Sequence, residues 1–238
     1  MPLDADTSHL TRAEATAVSL TTPFVTVVVA SYLLDLAGLP FLPWPMLGLA
    51  VTSGVLTFRR FRRACIQVPG ELPLFLGLVA MSLGWLLYLA WPTLMPLSTG
   101  PDLTHHLLLI HYIEQHWRLV HDPAVERFLG EMAQDTPGSH ILVALAGAWS
   151  GTDGLRAFHA LQAITVALKC GFLLLIGFRL LPRTVPRPCA LIGVLMLLAA
   201  PRYALGAFTE YRVPRPGRRR ALHRRDVVGH RRLDADHG

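Results

Sequence analysis

The sequence predicts an all-α membrane protein, a polytopic helical bundle of about five spanning helices with surface helices in one large outer loop. Of the 238 residues, 52% are hydrophobic and only 16% are charged, against roughly 25% charged in an average soluble domain. Several apolar runs approach or reach the ~20 residues that a helix needs to cross a bilayer. The polar residues gather between the third and fourth of these runs.

Five segments are predicted to span the membrane, at about residues 16–39, 41–58, 72–91, 157–178 and 189–209. The first two are separated by a short Pro-containing turn, which predicts a tight helical hairpin. Four arginines follow the second segment, and basic clusters in short loops stay cytoplasmic; they are Arg59, Arg60, Arg62 and Arg63. The chain is therefore predicted to lie in the plasma (inner) membrane with its N-terminus on the cytoplasmic side and the loop 92–154 on the outer side. An interfacial aromatic belt is predicted at Trp85, Tyr88 and Trp91.

The segment 139–150 is apolar but only about 12 residues long, which favours an interfacial or re-entrant helix. If it does not cross, the next span runs inward and places its following arginines in the cytoplasm. If it crosses, those arginines lie outside; they are Arg179, Arg183 and Arg187. The positive-inside bias therefore favours a helix that lies along the membrane surface.

The outer loop is predicted to open with a helix over residues 103–120, with Asp102 at its N-cap, where a carboxylate accepts hydrogen bonds from the first backbone N–H groups. At about 100° per residue, Glu114 and Arg118 point away from Asp102. Three histidines fall within roughly 60° of it; they are His105, His106 and His116.

Three short motifs lie in or next to the outer loop, at residues 101–106 (PDLTHH), 136–140 (TPGSH) and 149–158 (WSGTDGLRAF). They resemble the GT-C superfamily of integral-membrane glycosyltransferases, which includes the protein O-mannosyltransferases and bacterial enzymes that use polyprenyl-phosphate sugars. In that family a span leads into an outer loop with an acidic motif, followed by surface helices and an Arg-containing span. The resemblance covers about residues 72–210, and Leu103 stands where the family often has Glu.

The resemblance implies transfer of a sugar from a polyprenyl-phosphate donor to a hydroxyl of a glycan, lipid or protein acceptor on the outer face. Asp102 matches the catalytic acidic position, and it would act as general base on the acceptor hydroxyl. Glycosyl transfer also needs groups that stabilise the departing phosphate. The candidates at predicted outer span ends are Arg156, His159 and Arg202. His105, His106 and His140 complete the set of candidate substrate-binding residues.

Each of these residues also has a simpler interpretation. Asp102 is either a base, a helix cap or both, and His140 is either a site residue or a structural one. His105 and His106 bind donor phosphate, ligate a divalent metal together with Asp102, or only occupy the interface. A divalent metal is therefore the single candidate cofactor.

A non-enzymatic membrane protein, such as a transporter segment or an assembly subunit, is the alternative function. A transporter places polar groups near the bilayer midplane and often shows repeat symmetry. Here the polar residues gather in the outer loop, which favours the glycosyltransferase hypothesis.

The last 27 residues, 212–238, contain nine arginines and three aspartates and carry the whole net charge of +6, whereas residues 1–211 contain 13 residues of each sign. A nucleic-acid partner is therefore not predicted. The change is abrupt after the membrane domain 1–211, and it predicts a disordered or out-of-frame tail on the N-terminal part of a longer enzyme. Apolar spans in another reading frame past codon 211 would support this. The alternative is a polybasic anchor that binds acidic lipid headgroups.

Overall fold

The computed structural model describes residues 10–62, 65–90, 101–129, 137–181 and 187–199, and within these ranges the chain is helical almost throughout. Backbone pairing between Thr11 and Ile66 is an isolated bridge, and the described ranges contain no strand. The all-α prediction is confirmed for them. The helices are α1 (Arg12–Leu36), α2 (Pro43–Arg62), α3 (Glu71–Ala90), α4 (Pro101–His116), α5 (Pro123–Leu129), α6 (Gly138–Ser150), α7 (Gly154–Leu180) and α8 (Arg187–Ala199).

Three of these helices are long and apolar enough to cross a membrane, namely Arg12–Leu36, Glu71–Tyr88 and Gly154–Leu180. The chain is accordingly a membrane protein, and the first, third and fourth predicted spans correspond to these helices. The α2 helix is not among them, because its mainly apolar stretch ends at Phe58 and is followed by three arginines. The α8 helix is described over 13 residues, so the second and fifth spans stay predictions.

The hairpin predicted for the first two segments is confirmed. Gly38, with a φ of 73°, ends α1 in the left-handed conformation that glycine adopts without strain. The N–H of Leu39 then donates to the carbonyl of Leu34 over 2.8 Å, so the chain reverses directly into α2. Further along the hairpin, a Cβ on Gly54 would lie 3.0 Å from the Pro23 ring, which shows how closely the two helices pack.

An ion pair between Glu14 and Arg179 defines one end of the bundle. The Arg179 Nε and Nη2 atoms donate to the two carboxylate oxygens of Glu14, each over 2.5 Å. The backbone N–H of Arg12 donates to the carbonyl of Ile66 over 3.0 Å. The start of α1, the loop between α2 and α3, and the end of α7 therefore share this end, as the charge argument predicted. The side of the membrane on which this end lies remains a prediction.

The α6 helix packs against the bundle with one side. Six of its 13 residues are buried, and at about 100° per residue they share one side of the helix. Ser139 and Ser150, on the other side, are exposed. The helix begins beside Val28 of α1, at Gly138, and ends where the Trp149 indole donates to the carbonyl of Pro43 over 2.8 Å. It contacts α1, α2, α4 and α7, and its position along the membrane surface stays a prediction.

Gly171 sets the distance between α3 and α7. A Cβ at this position would lie 2.6 Å from both the Phe75 ring and a Val79 methyl group. Small residues at such points allow membrane helices to pack closely without a hydrophobic driving force from water. The α3–α7 contact therefore depends on the missing side chain.

We expect Gly171→Ala to lower the stability of the detergent-solubilised protein by about 1–3 kcal/mol, because the added methyl group must displace Phe75 or Val79. Thermal melting measures the effect. Gly77→Ala is the matched control, since a Cβ at Gly77 of α3 meets nothing within 4 Å. Equal melting temperatures for the two variants would contradict this account of the α3–α7 contact.

Candidate functional site

The candidate site lies at the end opposite to the Glu14–Arg179 pair, where α4, α6 and the start of α7 meet. Apolar side chains hold these helices together. Ile110 and Ile113 of α4 pack with Ile141 and Leu145 of α6 in one buried cluster. Because this core is continuous, the polar side chains that project from the same helices have defined neighbours.

His106 and His140 are brought together from segments 34 residues apart. The Nδ1 atom of His106 lies 2.7 Å from the Nε2 atom of His140, within hydrogen-bonding distance. Their rings stack with centroids 4.9 Å apart and planes at 16°. His140 is buried and His106 is partly buried, so the contact is partly shielded from its surroundings. Two candidate substrate-binding residues therefore share one location.

His105 and His116 do not join this pair. The His105 ring meets the edge of Phe128 in α5, with centroids 6.4 Å apart. His116 stacks on Tyr112 and contacts the carbonyl oxygen of that residue over 2.9 Å. The cluster of histidines around Asp102 that helical periodicity suggested is therefore divided among different neighbours, with His105 and His106 contacting different helices.

Asp102 lies inside α4 and not before it, since the helix begins at Pro101. Asp102 is therefore a helical residue and not the N-cap, so that prediction is wrong. Proline favours the first helical position because its missing N–H has no partner there in any case. The Asp102 side chain lies outside the described part of the structure, and its role as a base stays a prediction. In sequence, position 102 is one helical turn before His106.

The candidates on α7 occupy its first two turns. Arg156 is exposed, and its backbone N–H donates to the carboxylate of Asp153, the N-cap residue, over 2.9 Å. His159 is 7% exposed, and its ring lies edge-on to Phe158 with centroids 5.5 Å apart. Both residues are thus at the end of the bundle that holds His106 and His140. Arg202 and the tail 212–238 lie outside the described residues.

Glu114 was predicted only to point away from Asp102, but it takes part in a contact between helices. Its carboxylate accepts the backbone N–H of Gly154, the first residue of α7, over 2.5 Å. A Cβ on Gly154 would lie 2.5 Å from Ile110 and 2.9 Å from the Glu114 carboxylate, so α4 lies directly against the start of α7. Glu114 follows His106 by eight residues on α4. The α4 helix is therefore fixed against α6 through His106 and, two helical turns later, against α7 through Glu114.

Asp35 is a second carboxylate that binds the backbone of another segment. It is 8% exposed and accepts the N–H of Leu119 over 2.8 Å, and it also contacts the Nε2 atom of His121 over 2.9 Å. The end of α1 is thereby attached to the segment that follows α4. Trp117 adds to this attachment, because its carbonyl accepts the N–H of Phe41 over 2.9 Å.

The described residues contain no group of three or more His, Cys, Asp or Glu side chains that could hold a metal ion. His106 and His140 provide two such ligands. A third ligand in the predicted metal site would be Asp102, whose side chain is outside the described part. The divalent metal therefore stays a prediction.

The chain matches no protein-family model, no curated protein and no solved structure.

Burial raises the pKa of the Glu114 carboxyl above its usual 4.5. The hydrogen bond from Gly154 opposes this shift, the charge of Asp153 adds to it, and His111 opposes it. A carboxyl with a raised folded-state pKa contributes stability that is complete below the unfolded value and is lost as pH rises through the folded value. Ionisation of Glu114 should therefore destabilise the fold.

We expect Glu114→Gln to remove this pH dependence, because the amide oxygen still accepts the Gly154 N–H but does not titrate. As pH rises from about 4.5, the melting temperature of the wild-type chain should fall relative to that of the variant. The partly exposed Glu126→Gln serves as control and should follow the wild type. A constant difference between wild type and Glu114→Gln across this pH range would count against the proposed desolvation of Glu114.

Proposed function

We propose that this chain is a GT-C-like membrane glycosyltransferase that moves a sugar from a polyprenyl-phosphate donor to an acceptor hydroxyl on the outer face of the membrane. The observation that supports the proposal most strongly is the contact between His106 and His140. Both were candidate substrate-binding residues, on different motifs of the resemblance, and they meet at one partly buried point. If the two histidines had unrelated roles, α4 and α6 would not have to pack with these imidazoles in contact.

The depth of the histidine pair supports a lipid-linked donor. Val28, beside the start of α6, lies 14 residues beyond Glu14 on α1, or about 21 Å along the helix. Ala163, which packs with Leu86 of α3, lies 16 residues before Arg179 on α7, or about 24 Å along it. Because Glu14 and Arg179 are paired, both distances start from the same level.

The start of α6 therefore lies at about the level of Leu86, within one helical turn. Near Leu86 on α3, Trp85 is 55% exposed and Tyr88 is 71% exposed, and their rings lie 6.0 Å apart. Tyrosine and tryptophan concentrate at the membrane–water interface. The phosphate of a polyprenyl-phosphate sugar occupies the same level, since its chain is in the hydrocarbon and its sugar is in water. His140 is two residues beyond the start of α6 and lies within reach of that level.

The chemistry assigns a separate role to each residue. Asp102 accepts the proton of the acceptor hydroxyl as that oxygen attacks the anomeric carbon and the bond from carbon to phosphate oxygen breaks. His106 and His140 donate hydrogen bonds to the departing phosphate, and Arg156 and His159 add positive charge or donors at the start of α7. Glu114 positions α7 through its backbone bond to Gly154.

Transfer of radiolabelled sugar tests the proposal in membranes from cells that express the full chain. Synthetic polyprenyl-phosphate mannose and polyprenyl-phosphate glucose serve as donors. We expect Asp102→Asn to lower the transfer rate by about 10²–10⁴-fold, the range that general base catalysis contributes. His106→Asn should also lower it, because a donor to the phosphate is lost.

His111→Asn is the matched control, since His111 is an exposed histidine on the same helix that contacts Gln115, and transfer should be unchanged. Retained transfer in Asp102→Asn would eliminate Asp102 as the base. Absence of transfer from both donors in the wild-type membranes would favour a non-enzymatic membrane protein.

A further inference from the structure

The end of the bundle that holds the Glu14–Arg179 pair also carries an unbalanced positive surface. Two described carboxylates lie here: Glu14 binds Arg179 directly, and the charge of Glu71 also acts on Arg179. Four other arginines at this end are exposed, and no described carboxylate forms an ion pair with them. They are Arg12, Arg59, Arg60 and Arg62, called here the arginine surface.

The arginine surface continues an exposed apolar face of α2. Val51 and Val55 are 57% and 43% exposed, and Arg59 follows at the next helical turn. Arg62 also lies on this side, seven residues after Val55, because residues spaced by four and seven share a helix face. Exposed valine side chains thus lead directly to exposed guanidinium groups along a single face of the helix.

This order of side chains matches the order of groups in an anionic phospholipid. An acyl chain lying against Val51 and Val55 would place its phosphate beside Arg59 and Arg62. Guanidinium groups bind phosphate through two parallel hydrogen bonds, and basic residues next to a membrane helix are attracted to acidic headgroups. A soluble anion would explain the arginines but not the apolar face that leads to them.

We propose that the arginine surface binds the headgroup of an anionic phospholipid whose acyl chains lie along the exposed face of α2. Arg59 and Arg62 contact the phosphate directly, and Arg12 and Arg60 add to the local positive potential. The bound lipid stabilises α2, whose apolar stretch is shorter than those of α1, α3 and α7, against the rest of the bundle. This interaction is independent of sugar transfer at the opposite end.

Native mass spectrometry of the detergent-solubilised full chain tests the proposal, with phosphatidylglycerol as the anionic probe and phosphatidylcholine as the zwitterionic probe. We expect the wild type to bind phosphatidylglycerol more tightly. The double variant Arg59→Gln/Arg62→Gln should bind it roughly 25-fold more weakly, or about fivefold for each arginine removed, with little change for phosphatidylcholine. Melting temperatures without lipid establish that the variants are folded.

The double variant Arg118→Gln/Arg127→Gln is the control, because it removes the same charge from exposed arginines near the other end. It should keep the wild-type affinity. Arg59→Lys/Arg62→Lys should keep only part of it, because an ammonium group retains the charge but not the two parallel hydrogen bonds. The Arg-rich tail is identical in all these proteins, so it contributes equally to each. Unchanged phosphatidylglycerol affinity in Arg59→Gln/Arg62→Gln, or an equal loss in the control, would overturn the proposal.

Discussion

The contact between Gly147 and the start of α7 is the constraint on which the candidate site depends. A Cβ on Gly147 would lie 2.7 Å from the backbone nitrogen of Gly154, so any side chain would force α6 and α7 apart. Gly151, with a φ of 67°, ends α6 in a left-handed turn, and the N–H of Thr152 returns to the carbonyl of Gly147 over 2.9 Å. The backbone can therefore reverse within three residues. The reversal places Gly154 against α4, where Glu114 accepts its N–H, and α4 in turn holds His106 against His140.

The main contacts at this end follow one physical rule, in which a side chain on one helix satisfies a backbone group of another segment. Glu114 accepts from Gly154, Asp35 accepts from Leu119, and Trp149 donates to Pro43. Backbone groups near helix ends and in loops have no intrahelical partner, and leaving them unpaired away from water is costly. The first two contacts therefore satisfy backbone N–H groups that lack an intrahelical partner, the third provides an acceptor for the Trp149 indole N–H, and each fixes the position of a neighbouring segment.

The fold class and most helix positions could be predicted because they depend on local pattern. Apolar runs of sufficient length identified α1, α3 and α7, and the arginines identified the ends that lie together. The position of Asp102 inside α4 could also have been predicted from its neighbour, since Pro101 is suited to a first helical position. The length and apolar composition of α6 predicted a short helix here, but they do not specify its contacts with α1, α2, α4 and α7.

Contacts between distant segments could not be predicted in the same way. Helical periodicity correctly directs Glu114 away from Asp102, but its partner is a backbone N–H 40 residues later, and a backbone group has no sequence signature. His105 and His106 are adjacent in sequence and differ by about 100° around α4. That angle is enough for one to meet α5 and the other α6. Only the packing of α5 and α6 against α4 decides that His105 meets α5 and His106 meets α6.

The contact between His106 and His140 adds a directional bond to the apolar packing of α4 against α6. A contact of 2.7 Å between two ring nitrogens requires one N–H and one lone pair, so one ring donates and the other accepts. Ile110 and Ile113 pack with Ile141 and Leu145 in the same cluster. Because a hydrogen bond depends on direction, it restricts how α4 can turn or slide against α6 more closely than the apolar contacts alone would.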